Sequence, residues 1–169
     1  NDYNYLVIDC HNIPFKNNYF DTIIANHVLF YLKDLDLGLS QISRVLKSRG
    51  TFYCTTYSKK HMQEIDEIAK NFDKRISLSD ESLSDYFGLE NGHEILSKYF
   101  NYIELRKYED SLMITQAQPL IDYILSCHGN QNDILVNRMN EFKKYIEDLI
   151  KKSNGIKITK DSGLFICTK

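Results

Sequence analysis

Between Phe20 and Thr56 the chain passes from an apolar run to an amphipathic helix and back to an apolar run, a succession that few architectures accommodate. Phe20 to Ala25 is rich in β-branched and aromatic residues and has the length of a strand. Leu35, Leu39, Ile42 and Val45/Leu46 then recur at helical spacing, with Asp34 placed to cap the helix and Gly50 just past its end. Thr51 to Thr56 is again strand-like. Strand, helix and strand joined in this way form a right-handed crossover between parallel neighbours, so this region predicts a parallel α/β sheet. Ahead of it, Tyr5-Leu6-Val7-Ile8 is a further apolar run ended by Asp9, and is expected to be a buried parallel strand leading into the loop Cys10 to Asn18.

The rest of the chain alternates the two periodicities less regularly. Met62, Ile65, Ile68 and Ala69 mark a helix over His61 to Phe72, and the polar stretch Asp73 to Asp85 is a connection. Asn91 is placed to cap a helix from Gly92 to Phe100, followed by a strand at Tyr102 to Tyr108 and a short extended piece at Leu112 to Thr115. Pro119 opens a helix through Ser126, and Leu135, Met139, Phe142, Ile146 and Leu149/Ile150 share one face of a long helix. Gly155 to Cys167 returns as a strand pair, or as one strand with an irregularity at Gly163.

A chain of 169 residues with a 43% apolar fraction, twelve Tyr and nine Phe can bury one proper core, which makes disorder an unsuitable description. The net charge of -2, with both signs interspersed, provides no basic stripe for a nucleic-acid backbone. No apolar run reaches membrane-spanning length, and Asn1 to Tyr5 lack the regions of a signal peptide, so a soluble, cytoplasmic protein is expected. Cys10, Cys54, Cys127 and Cys167 form no CxxC pair and read as core thiols, with no metal cluster in the sequence. The first residue is Asn instead of Met, which suggests that processing or design removed a preceding segment.

In an open parallel sheet, ligands bind beyond the carboxyl ends of the strands, so the residues that follow each strand are the ones to examine. Two such edges stand out: Asp9-Cys10-His11-Asn12-Ile13-Pro14-Phe15, and Asn26-His27-Val28-Leu29. Taken with Tyr19-Phe20-Asp21-Thr22-Ile23-Ile24 and Ser43-Arg44-Val45-Leu46-Lys47-Ser48-Arg49-Gly50, they resemble the second half of a class I S-adenosylmethionine (SAM)-dependent methyltransferase domain. The similarity is to the ubiquinone/menaquinone-methyltransferase-like (methyltransferase type 11) group, which reads D-A, L-P-F, S-F-D, H-V-L and R-V-L-K-P-G-G in this order and spacing.

That resemblance implies an α/β fold made of the C-terminal part of a Rossmann-like class I methyltransferase sheet, its third to seventh strands. Such a sheet is mostly parallel, with the last strand inserted antiparallel, and here it would carry added helices. It further implies a single partial domain over residues 1–169, with a cofactor-side βαβ region at 1–58 and a substrate-side region at 59–169 that holds a helical insertion at about 112–153. The cofactor would be SAM. Asp9 would accept from the adenine 6-amino group, the Cys10 N–H would donate to a ring nitrogen, and Asn26 and His27 would face the methionine end. His27 is expected to line the site and not to transfer a proton, and no catalytic base is assigned. Asp21 is expected to be structural, and Arg44 a surface or carboxylate-paired group.

Two departures bear on the expectation. Ser48 and Arg49 stand where the family has Pro and Gly, loosening a turn away from the site. The family's first strand, its glycine-rich loop and the acid that clasps the ribose would all precede Asp9, and the chain as given does not contain them. The expected activity is therefore methyl transfer to a small-molecule acceptor by the full-length parent, with this chain alone inactive. The alternative is a catalytically silent fragment or interaction module. A dehydrogenase fragment is disfavoured, because Phe20-Asp21 and Arg44-Val45-Leu46-Lys47 have no role in that pattern. Without its partner strands, Phe20 to Ala25 is expected to be an open edge that recruits a second copy into a homodimer.

Overall fold

The computed structural model describes residues 3–79 and 82–169. Asn1, Asp2, Asp80 and Glu81 lie outside the described residues, and with them the start of the N-terminal arm and part of the Asp73 to Asp85 connection. The chain divides into two compact units, one of Asn1–Ser58, Leu83–Lys107 and Ser162–Lys169, the other of Lys59–Ser82 and Tyr108–Asp161.

In the first unit the crossover forms as its residues dictate. Phe20–Asn26 (β1) leads through a 3-10 turn at Leu29–Tyr31 into the helix Leu35–Val45 (α1) and then the strand Leu46–Tyr57 (β2). Asp34 caps α1 by accepting from the Leu37 N–H at 2.9 Å, and Leu39, Ile42 and Val45 carry its buried face. β1 and β2 are parallel, with Ile23 opposite Phe52 and Asn26 opposite Thr55. The pairing shifts between Phe20, opposite Leu46, and Thr22, opposite Thr51, so the expected turn at Lys47 to Gly50 is a bulge inside β2.

After Gln63–Phe72 (α2), Leu83–Tyr86 (α3) and Gly92–Ser97 (α4) come the strand Tyr102–Ile114 (β3), the helices Ala117–Ser126 (α5), Gln131–Leu135 (α6) and Met139–Ser153 (α7), and the last strand Ile156–Thr168 (β4). The sheet order is β1-β2-β4-β3, with β4 antiparallel to β2. Insertion of the final strand antiparallel, between two earlier ones, is the arrangement that the sequence resemblance implies. Phe52, Cys54, Phe87, Leu96, Phe165 and Cys167 are fully buried in the core of this unit, where the Phe52 and Phe100 rings stack at 5.3 Å. Gly163 sits in unbroken register opposite Thr56 and makes no irregularity. Its lack of a side chain has another cause: a Cβ there would come within 2.9 Å of Leu89 and 3.0 Å of Leu105.

The second unit has its own core of Ile65, Ile68, Leu120, Ile124, Leu135, Phe142 and Ile146, drawn from α2, α5, α6 and α7. Asp73 anchors it, accepting from Arg75 at 2.7 Å and from Arg138 at 2.8 Å, while the Arg138 guanidinium lies 4.4 Å from the Phe72 ring centre. α7 ends at Asn154 in the left-handed conformation (φ 53°), and the Gly155 N–H then bonds back to the Ile150 carbonyl.

Four expectations need correction. Tyr5 to Ile8 is not a strand; Tyr5, Leu6 and Val7 are exposed, because no strand lies beside them among the described residues to satisfy their backbone groups or cover their side chains. Asn91 does not cap α4 with its side chain, since its amide is spent accepting from the Gly88 N–H and donating to the Asp85 carbonyl. β3 runs unbroken through the residues expected to separate two shorter pieces. The expected long helix beginning at Leu135 is interrupted at Val136–Arg138, so Leu135 closes α6 and the remaining face belongs to α7.

Candidate functional site

Because β1 and β2 are parallel, their carboxyl ends lie at one edge of the sheet, where Asn26 ends β1 and His27 follows it. His27 has a left-handed backbone (φ 49°), uncommon for a residue with a side chain, and its N–H is held by Thr55 on β2, at 3.2 Å from the carbonyl and 3.1 Å from the hydroxyl oxygen. The same Thr55 hydroxyl donates to Asn26 Oδ1 at 3.5 Å. The His27 ring then stacks on Tyr57 at 6.1 Å and lies 6.3 Å from Phe30. Phe30 in turn touches Tyr57 at 5.3 Å and Tyr31 at 4.7 Å.

Asp9 and Cys10 are held by a different set of contacts. Asp9 Oδ1 accepts from the His11 N–H at 2.9 Å and from His11 Nδ1 at 2.7 Å. His11 Nε2 accepts from the Asp34 N–H at 3.2 Å, so the ring proton sits on Nδ1 in this arrangement, and the loop is tied to the residue that caps α1. Hydrogen bonds from His11, the backbone one first, hold the Asp9 carboxyl below its ordinary value. Among the described residues, Asp9 Oδ2 and the Cys10 N–H make no hydrogen bond, leaving an acceptor and a donor side by side on an exposed loop. No hydrogen bond joins this pair to Asn26 or His27 among the described residues.

Arg44 is half-buried, and among the described residues it pairs with no carboxylate. Its guanidinium donates to the carbonyls of Ile13 at 2.8 Å and Phe15 at 2.7 Å, and to Asn17 Oδ1 at 3.1 Å, clamping the Ile-Pro-Phe turn against α1. Asp21, at the start of β1, pairs with Lys47 at 2.8 Å. Cys54 and Cys167 are buried together, and their mutual contact, with burial, pushes the Cys54 thiol up. Among the described residues no group of three or more His, Cys, Asp or Glu is arranged to hold a metal ion, and no helix is long and apolar enough to cross a membrane.

Sequence reasoning did not anticipate Thr55, Tyr57, Phe30 or His11. The signal for Thr55 was available, since aligning the carboxyl ends of two parallel strands sets it opposite Asn26. The aromatic contacts depend on the 3-10 turn at Leu29–Tyr31, which has no distinctive pattern in the sequence.

A family model described as a methyltransferase domain matches residues 1–54, a stretch that holds Asp9, Cys10, Asn26 and His27 together with α1 and most of β2. Over these residues the chain is similar to methyltransferase domains. The malonyl-[acyl-carrier protein] O-methyltransferase of Chlorobium luteolum is 26% identical over 160 residues, covering 93% of this chain and 57% of that protein. The chain thus spans little more than half the length of this methyltransferase relative. Two solved structures share the fold at low identity: a protein of Bacillus halodurans C-125 classed as a methyltransferase (TM-score 0.52, 14% identity, 94% of this chain and 68% of that one), and the YcgJ protein of Bacillus subtilis (TM-score 0.52, 16% identity, 95% and 68%).

Proposed function

We propose that this chain supplies the adenine-side and methionine-side walls of a SAM site, in a protein that transfers a methyl group to a small-molecule acceptor. The observation that carries the reading is the methyltransferase-domain match over residues 1–54, because it spans both candidate segments, Asp9-Cys10 in the N-terminal loop and Asn26-His27 at the carboxyl edge of the parallel pair. The polar groups present suit the molecule. A purine edge needs an acceptor for its 6-amino group and a donor for a ring nitrogen, and Asp9 Oδ2 and the Cys10 N–H supply that pair. Asn26 would meet the amino-acid end through its backbone carbonyl or side chain, with the His27 imidazole beside the methyl group.

Bound SAM supplies a methyl group activated by a positively charged sulfur. The residues of this chain orient it and exclude water, and none is assigned as a base. Catalytic turnover is proposed for the whole protein, and its setting is proposed to be the cytoplasm, where the four free cysteines would stay reduced.

NMR titration of this chain with SAM tests the reading. Saturable shifts at Asp9, Cys10, Asn26 and His27 are expected, and unchanged signals at all four up to millimolar ligand would reject it. Asp9→Ala should weaken binding by about 1 to 3 kcal/mol, the range for leaving a ligand amino group without its acceptor.

A further inference from the structure

The rings of His27, Phe30, Tyr31 and Tyr57 form one connected cluster at the carboxyl edge of β1 and β2. Phe30 lies at its centre, 6% exposed, and touches each of the other three, whereas Tyr31 is 65% exposed and His27 is exposed as well. Burial of a common core therefore accounts for Phe30 and leaves the outward rings unexplained. A second observation concerns the same place. The left-handed His27 backbone is held by two acceptors on Thr55, so the edge of the cluster is fixed at the cost of local strain, a feature that concentrates at ligand sites.

We propose that this cluster is a recognition surface for a compact organic cation, a sulfonium or a methylated ammonium. The faces of aromatic rings carry negative electrostatic potential, and several rings sharing one edge attract a weakly hydrated onium group that a single exposed ring would hold poorly. Within the methyl-transfer reading, on which this link rests, the cation has two sources: the sulfur of the methyl donor or an amine of the acceptor. Tyr57 and Tyr31 are then specificity-determining residues that separate charged from neutral ligands.

Tetramethylammonium and its neutral isostere tert-butanol are the probes, read by aromatic NMR shifts of the whole chain. Saturable shifts of Tyr57, Tyr31 and His27 with tetramethylammonium, at least threefold larger than with tert-butanol, are expected; equal responses, or none, overturn the proposal. Tyr57→Leu should remove the selectivity. Tyr31→Leu, which takes away an exposed ring and spares the core, should reduce it, while Tyr102→Leu, an exposed tyrosine elsewhere, should leave it intact.

SAM and S-adenosylhomocysteine then identify the source, because only the former carries the sulfonium. A drop of about threefold to thirtyfold in the SAM preference of Tyr57→Leu, with S-adenosylhomocysteine binding unchanged, assigns the cluster to the methyl donor. An unchanged preference with selective tetramethylammonium binding assigns it to a cationic acceptor. Silence toward both adenosyl ligands, with tetramethylammonium still bound selectively, rejects the SAM site and keeps the cation surface.

Discussion

The Arg44 guanidinium reaches out of α1 to the carbonyls of Ile13 and Phe15, while the Asn18 and Tyr19 N–H groups bond to the carbonyls of Arg44 and Val45. One residue on a helix thereby holds the segment that presents Asp9 and Cys10. Replacing it with Met keeps much of the stem packing but leaves part-buried carbonyls without donors, so Arg44→Met should lower stability by about 1 to 3 kcal/mol in urea unfolding. It should also broaden the Asp9 and Cys10 NMR signals, and sharp, unshifted signals would contradict the clamp. Val7 marks the opposite case. Its side chain is fully exposed, so Val7→Asp should change stability by no more than about 0.5 kcal/mol in this chain, as surface substitutions do, whereas the sequence reading of a buried strand requires serious damage. The residue pattern Tyr5 to Ile8 was legible as apolar; whether it is covered depends on neighbours that the pattern does not contain.

Elements with strong local signals were readable, and those fixed by tertiary contacts were not. α1 has a capping Asp34 and an apolar stripe of its own, and its bounds follow from them. Asn91 has the same credentials for α4, yet its amide is drawn into the α3–α4 connection, a competition that no local rule registers. Contact between α1 and the segment after α4 shows a similar dependence, because the Tyr99 hydroxyl donates to Asp36 Oδ1 at 2.7 Å across a long sequence separation. Burial first, and the hydrogen bond to Asp36 next, push the Tyr99 phenol up from 10.0 to about 12. The folded chain therefore keeps this proton more tightly than the unfolded chain does. Its contribution to stability is fully present below pH 10 and is lost as the pH rises through 12. Thermal melts of the parent and of Tyr99→Phe should show a fall over this window that is shallower in the variant; identical profiles would remove Tyr99 as its cause.

At the scale of the molecule, the sheet order places β1 at an edge, paired on one side by β2 and on the other by no strand among the described residues. The order itself was legible through the resemblance, while the division into two units was not, since β3 and β4 each contribute residues to both and give no break in periodicity where the units meet. β1 carries Ile24 at 63% exposure, and it contains no proline and a single charged residue, Asp21, which is paired to Lys47. Natural edges of this kind are protected by proline, lysine or a covering segment, and an unprotected one pairs with a further strand. Among the described residues the N-terminal arm makes no hydrogen bond to β1; its bonds go to α1 through Arg44 and to the α1 cap through His11. A second copy of the chain offers the same edge, and two-fold pairing of β1 with β1 satisfies both sets of backbone groups at once. Multi-angle light scattering should accordingly show a mass that rises from monomer toward dimer with concentration. Ile24→Lys, which puts a charge on the exposed face of that strand, should hold the chain monomeric without altering its melt. A constant monomer mass across the range, or a dimer that survives Ile24→Lys unchanged, would assign the edge no role in association.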